Sequence, residues 1–464
     1  MTYTIEIKKM PITMTYGFLL ALAFSITATY AFEKEKTSME NIISSLPISS
    51  ESEENTPEFI SKTSEIFPSN VFNVVTLSDQ SYAFASISDA VIEGITSSPS
   101  AAIAVLKKRQ GEWKVEHYLA INSADTALTK AFGMALSKDE SVLSVAVREG
   151  VVLLDVSSMI QGQITSYYVD LNTGYTNRRD RPGSIAVVSG NDNRHFFIAD
   201  EYGEFPGYYG LGDVAIVSYQ RDPDGRISAQ RLGYIRPEQN AIAGLNISPD
   251  GKTLYIPSQV SPEYQYRDFA GLDHPEVAKQ CGNSFSGSIS IVDVETLLQK
   301  AETNPGNGNR VLNNVIQAKV AAGCGVVRIA VSNDSKTIWS TARTDNKIHA
   351  FDATRLRNDP NNAYLYSASS GGTAPVGISS FSEDRYLAVS NSNRFDGVDE
   401  NGNPAIPNIS IFDVSKREQP ELLKKITSGE FPRDISRNPN DQSVFVANWR
   451  SFTFQEISIA PISE

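Results

Sequence analysis

Few residues of this chain are suited to acid–base or ion-binding chemistry, and their settings differ. Only four histidines occur among 464 residues, and three of them, His117 (VEHYL), His195 (NRHFF) and His349 (KIHAF), fall within apolar runs that read as packed strand positions. The fourth, His274 in RDFAGLDHPEVAKQC, stands near Asp268, Asp273 and Glu276. A histidine oriented by a carboxylate is a candidate general base, and the competing reading is a solvated loop histidine. Arg328 lies near the start of the run VVRIAVS, and Asp434, with Arg433 beside it, occupies the same place in FPRDISRNPN. A guanidinium there would hold a carboxylate or phosphate through two parallel hydrogen bonds and could offset a developing oxyanion, unless an Arg328–Asp434 ion pair neutralises it. Trp449 and Arg450 in NWRS offer a stacked guanidinium for a ligand, or an ordinary surface pair. Arg394 opens RFDGVDENGN, whose alternating carboxylates and amides are loosely like a calcium loop but lack its full spacing and terminal glutamate. No metal site is assigned. No nucleophile elbow, P-loop, zinc signature or dinucleotide fingerprint is present, and no cofactor is expected.

These residues need a scaffold, and the repeats supply one. The segment GVVRIAVSNDSKTIWSTARTDNKIHAFDA (325–353) contains three alternating apolar strands separated by polar turns, the pattern of an antiparallel meander. Aligned on Ala330, equivalent segments recur at Val75, Ala135, Ala186, Asn246, Ser379 and Ser436. Seven copies of a four-stranded unit predict an all-β, seven-bladed β-propeller of WD40-like architecture over residues 67–464, in which each sheet is covered by the next. The last copy is one strand short, so a segment just before Val71 is expected to supply the missing outer strand and close the ring.

Four copies end their third strand on aspartate: Asp155, Asp293, Asp352 and Asp413. Aspartate at the start of a turn caps backbone amides, so these are read as architectural rather than catalytic. The stretch from anchor to aspartate is short in the second and fifth copies (135 to 155, 330 to 352) and long in the fourth and sixth (246 to 293, 379 to 413). A similar surplus, EYGEFPGYYGLGD (201–213), follows the second strand of the third copy. All three lie between second and third strands, which places them on the same face of the disc as the blade-to-blade connections. Arg328, Arg433 and Asp434 would meet a ligand at the channel mouth on that face.

The start of the chain has Lys8 and Lys9, an apolar run GFLLALAFSI, and then TATYA before FEKEK. This is the order of a secretory signal peptide over residues 1–31, against the alternative of an uncleaved anchor. Residues 32–66 are rich in Ser, Thr and Glu and read as a linker whose last part is the closing strand. Export to an extracellular or periplasmic compartment favours a bridge between the only two cysteines, Cys281 and Cys324, over two separate thiols. Both fall on the insertion face of adjacent blades. The sequons at Asn333 and Asn408 suit glycosylation better than that at Asn246, which lies in an inner strand. A formal charge of −13 argues against nucleic acid, and no membrane contact beyond export is expected. A monomer is expected.

The runs ISPDGKTLYIPS (247–258), AAGCGVVRIAVSNDSKTIWSTARTDNKIHAFDA (321–353), TAPVGISS with AVSNSNRFDG (373–397) and FPRDISRNPNDQSVFVAN (431–448) resemble the YVTN-repeat, lactonase-like seven-bladed propellers. The resemblance covers roughly residues 130 to 460 and implies a fold. It implies no catalytic residue by position, since no short motif defines the group. It includes proteins similar to 6-phosphogluconolactonases and muconate cycloisomerases, and so implies a small organic acid or lactone as ligand at the channel mouth, with lactone hydrolysis as the associated chemistry. On this reading His274 is the base and Arg328 the cation, while Arg433, Asp434, Arg394, Arg450 and Trp449 bind the ligand. The alternative is a non-catalytic extracellular propeller whose insertion face binds a protein or a glycan.

Overall fold

A small antiparallel sheet with apolar side chains on both faces is stable only when each face is covered, and here seven such sheets cover one another in sequence. The structure is a computed structural model that describes residues 57–460, apart from 123–127, 149, 172–182, 202–203, 206–207, 210, 307, 399–401 and 417. The expected signal peptide and most of the expected linker therefore lie outside the described residues. Blade 1 is Asn70–Thr76, Tyr82–Ala90, Ser100–Arg109 and Glu112–Ile121. Blade 2 is Ala131–Leu136, Val142–Val147, Gly150–Asp155 and Ser166–Asp170; blade 3 is Ser184–Ser189, His195–Asp200, Asp213–Arg221 and Ile227–Ile235. Blade 4 is Asn246–Ile247, Thr253–Ser261, Ser284–Asp293 and Ile316–Ala321, with Gln280–Cys281 added against its third strand. Blade 5 is Val326–Val331, Thr337–Ala342, Lys347–Asp352 and Tyr364–Ser369; blade 6 is Pro375–Phe381, Tyr386–Asn391, Asn408–Asp413 and Glu421–Thr427.

Blade 7 closes the ring with strands from both ends of the chain. Pro432–Arg437, Ser443–Asn448 and Thr453–Ile459 are followed by Phe59–Thr63, which pairs antiparallel with the third strand from Phe59 opposite Ile459 to Thr63 opposite Gln455. The closing strand thus begins inside the stretch read as linker, as its composition allowed: Phe59 is buried against Phe381 and Tyr386, while Lys62 and Thr63 face solvent.

Six of the seven inner strands carry a register shift against the second strand. In five of them two residues oppose one, the arrangement of a β-bulge: 72–73, 132–133, 327–328, 376–377 and 433–434. A bulge frees a backbone N–H that must find a partner. In blades 1, 5 and 6 the single opposing residue is Ser86, Thr341 or Ser390, whose hydroxyl accepts that N–H from Asn73, Arg328 or Gly377 at 3.1, 3.2 and 2.8 Å. The same hydroxyl then donates to the bulge carbonyl of the next blade: Phe132 at 2.6 Å, Val376 at 2.9 Å and Arg433 at 3.5 Å. Blade edges are thereby tied together at the level where the channel opens.

The recurrent aspartates are architectural. Asp155 and Asp293 cap the helices Val156–Ile160 and Val294–Glu302, accepting the amides of Ser158 and Thr296 at 2.8 Å each, and Asp352 and Asp413 accept those of Thr354 and Ser415. One expectation needs correcting. Not every large excursion gathers on the insertion face, because blade 4 also carries the helix Val294–Glu302 and residues 303–315 between its third and outer strands. Val294, Leu297 and Ala301 are buried in the core shared with blade 3, and Val311 pairs with Tyr234 on that blade's outer strand. An apolar helix face required cover, and the seam between blades 3 and 4 offers it.

Cys281 and Cys324 form a disulfide with Cα atoms 5.7 Å apart, joining the blade 4 insertion to the connection into blade 5. Replacing both with serine releases a loop of sequence separation 43 and is expected to cost about 2–4 kcal/mol. Thermal melts of the oxidised protein, the reduced protein and the double serine variant would check this. The reduced and serine forms should coincide a few degrees below the oxidised one.

Candidate functional site

The bulges place the candidate ions. As the second bulge residue, Asn73, Arg328 and Asp434 present side chains into the channel from blades 1, 5 and 7, whereas blades 2 and 6 have Gly133 and Gly377 there. A Cβ at Gly377 would come within 2.8 Å of Ile435 and 2.9 Å of the Arg433 carbonyl, so no side chain fits. Arg328 Nε donates to Asp434 Oδ1 at 3.3 Å, and Asn73 Nδ2 donates to Asp434 Oδ2 at 3.0 Å. The ion pair weighed from sequence therefore exists, and it spans the channel. Beneath it a cavity of about 330 Å³ runs toward the opposite face, lined by Asn246, Ser379, Ser436 and Arg437 among others.

Above the pair lies a second group of charges. Arg433, the first bulge residue of blade 7, sits over Phe72 at 4.5 Å, Trp449 at 5.3 Å and Phe431 at 5.8 Å. It is surrounded by protein while part of its side chain still reaches solvent, which is the setting of a group at the floor of a recess. Burial pushes the guanidinium down to about 10, with Glu201 opposing, so it remains a cation near neutrality. Glu201 follows the second strand of blade 3 and is 7% exposed. Burial raises its carboxyl above the usual carboxylate range, outweighing the opposite pull of Arg433, Arg328, Arg343 and Arg394. Gln259 Nε2 lies 3.4 Å from Glu201 Oε1, and Gln259 Oε1 accepts from Arg343 Nη2.

Other sequence candidates divide between this mouth and the perimeter. Trp449 packs edge-on to Phe72 and stacked over Phe132, and Arg450 lies over Phe431 at 5.2 Å, so both border the recess. Arg394 lies over Phe395 and Phe431. Part of the 394–403 loop lies outside the described residues, and among the described residues no cluster of metal-ligating side chains occurs. His274 is not brought to Arg328. Its insertion turns outward: Ala270 bridges Val320 on the outer strand of blade 4, and Phe269 and Val277 are buried. His274 ends against Tyr364 at 5.1 Å, with Nε2 3.2 Å from the Asn361 carbonyl, on the outer strand side of blade 5. Apolar burial of its neighbours decides where the insertion goes, and the histidine follows.

The sequence reading missed Glu201, Arg343 and Gln259. Each stands at or just beyond the end of a second strand, on the insertion face, and comparing those positions across copies is the signal that would have found them. A larger cleft of about 880 Å³ lies between blades 5 and 6 near the first-to-second turns. Trp339 Nε1 donates to Tyr366 Oη there at 3.0 Å, Lys336 pairs with Asp334 and Arg385 with Asp413.

Residues 305–463 match the family model for lactonase, 7-bladed beta-propeller. Over that stretch the chain is lactonase-like, in agreement with the seven blades of the structure. No curated protein sequence matches it. The lactonase-like stretch contains Arg328, Arg343, Arg394 and Arg433, whereas Glu201 and Gln259 come from blades 3 and 4, outside the match. Among the described residues no helix is long and apolar enough to cross a membrane.

Proposed function

We propose that the channel mouth of this exported, lactonase-like propeller binds a small organic acid or lactone and hydrolyses the lactone ring. The observation that carries this reading is Glu201: a buried carboxyl held above its usual range in the field of four guanidiniums at the mouth. Such a group stays protonated to higher pH than an exposed glutamate, and a carboxyl so placed can both take and return a proton. Arginine beside it supplies what a tetrahedral intermediate needs, a fixed positive charge where the carbonyl oxygen becomes anionic. In the proposed step water adds to the carbonyl carbon and the ring C–O bond breaks. Glu201 takes the proton from water and returns it to the departing oxygen, and the product is the hydroxy acid. Arg433 faces the carbonyl oxygen, while Arg343 and Arg394 hold the anionic part of the ligand. The disulfide and the basic-apolar-small order of residues 1–31 support export.

A panel of aliphatic and aryl-fused lactones assayed with the purified protein tests the reading. Glu201→Gln keeps the shape and removes the titrating proton, and is expected to lower kcat by about 10²-fold or more. The wild-type pH–rate profile should show one limb displaced above the ordinary glutamate value, and the variant should lose that limb. The sign for stability follows from the same shift. Between the unfolded and the raised folded value the native state binds more protons, so stability falls as pH rises through that window, and Glu201→Gln should flatten the fall. A protein inert to the whole panel, or a Glu201→Gln variant of full activity, sinks the proposal.

A further inference from the structure

Guanidiniums and aromatic rings alternate from the rim of the mouth to its floor. Arg343 of blade 5 and Arg394 of blade 6 lie over Phe395 at 5.5 and 6.0 Å, Arg394 also faces Phe431 at 5.9 Å, and Phe431 faces Arg433 at 5.8 Å. The inner ring is closed, with Phe431 only 7% exposed, but the outer one is open, with Phe395 60% exposed. A phenyl ring that exposed forgoes most of the benefit of burial, and the two cations fix where it sits without covering it. Arg343 also reaches Gln259, which touches Glu201, so the open ring and the proposed acid belong to one connected set of contacts.

Resting on the lactonase reading above, we infer that Phe395 is a platform for a flat apolar ring carried by the ligand. The favoured ligands are then aromatic acids and aryl-fused lactones rather than short aliphatic ones. A planar ring laid on Phe395 stacks in an offset or edge-on manner. Its anionic edge meets the guanidiniums of Arg343 and Arg394, and its carbonyl points inward toward Arg433 and Glu201. Phe395 would act through binding and selectivity, without touching the reacting atoms.

The test compares dihydrocoumarin with δ-valerolactone, which share a six-membered lactone and differ by the fused ring. Wild type, Phe395→Ala and Phe395→Trp are assayed on both, and their affinities for 3-phenylpropionate and hexanoate are measured by calorimetry. Because the side chain is exposed, these variants should fold as wild type does, which a melt verifies. Phe395→Ala is expected to raise KM for dihydrocoumarin about tenfold with little change in kcat, to leave δ-valerolactone within about twofold, and to be rescued by Phe395→Trp. Equal effects on both lactones, or none on either, with an active wild type would overturn the platform while leaving the lactonase reading intact. A wild type that binds 3-phenylpropionate through Phe395 yet hydrolyses nothing would support the platform and overturn catalysis. A protein that neither hydrolyses the lactones nor binds 3-phenylpropionate overturns both.

Discussion

Deleting residues 57–64 should cost about 5 kcal/mol or more and make the protein associate with itself. Phe59 alone fills a buried site between Phe381 and Tyr386, with ring centroids at 6.4 and 5.2 Å, and truncating a buried phenylalanine costs about 3–5 kcal/mol. The deletion also removes the ladder from Phe59–Ile459 to Thr63–Gln455 and the bond from the Phe454 amide to Ser64 Oγ at 3.0 Å. What remains is a bare edge along Thr453–Ile459, a strand that includes Phe454 and Ile457, and such an edge pairs with other chains. Phe59→Ala separates the two effects, since it loses the packing and keeps the ladder. Thermal melts should order wild type, Phe59→Ala and the deletion from most to least stable, and only the deletion should grow in mass with concentration on light scattering. A deletion that melts with wild type would mean that the other three strands of blade 7 suffice to close the ring.

The second large effect is expected at Asp434. Its carboxylate faces Arg328 and Asn73 within the channel, and the two charged side chains are only 14% and 9% exposed. Asp434→Ala leaves a buried guanidinium without its counter-charge, which costs about 3–5 kcal/mol, whereas an apolar replacement of both partners is far milder. Denaturant titrations of Asp434→Ala, Arg328→Met and the double variant should therefore be strongly non-additive, with the double variant more stable than Asp434→Ala. Additive losses would show that the two side chains act independently. This arrangement also limits what Arg328 can do for a ligand, because one edge of its guanidinium is already engaged by the protein.

The architecture was legible because period-two apolar runs and polar turns recur seven times, and a missing outer strand in the last copy pointed to the segment before Val71. The site was legible only where the repeat itself positioned it. Arg328 and Asp434 share a phase within aligned strands, with Arg433 beside the second of them, so alignment alone placed them at the mouth. His274 illustrates the limit. Its acidic neighbours suggested chemistry, but the direction of its insertion depends on where Phe269 and Val277 find cover, which is a tertiary matter. Glu201 was overlooked for the converse reason: nothing beside it in the chain is basic, and the four arginines that surround it come from blades 5, 6 and 7. The helix Val294–Glu302 follows Asp293, beyond the stretch whose length marked the fourth copy as unusual, so nothing in that length announced it.

The doubled position near the top of five of the innermost strands separates upkeep from opportunity. Ser86, Thr341 and Ser390 settle the backbone's needs wherever they occur, whatever the two residues facing them are. Those two are therefore at liberty to be valine and glycine in one sector, valine and arginine in another, phenylalanine and asparagine in a third. A scaffold with this division can acquire, exchange or lose a binding chemistry by a few substitutions around its hole, each tolerated by the same frame.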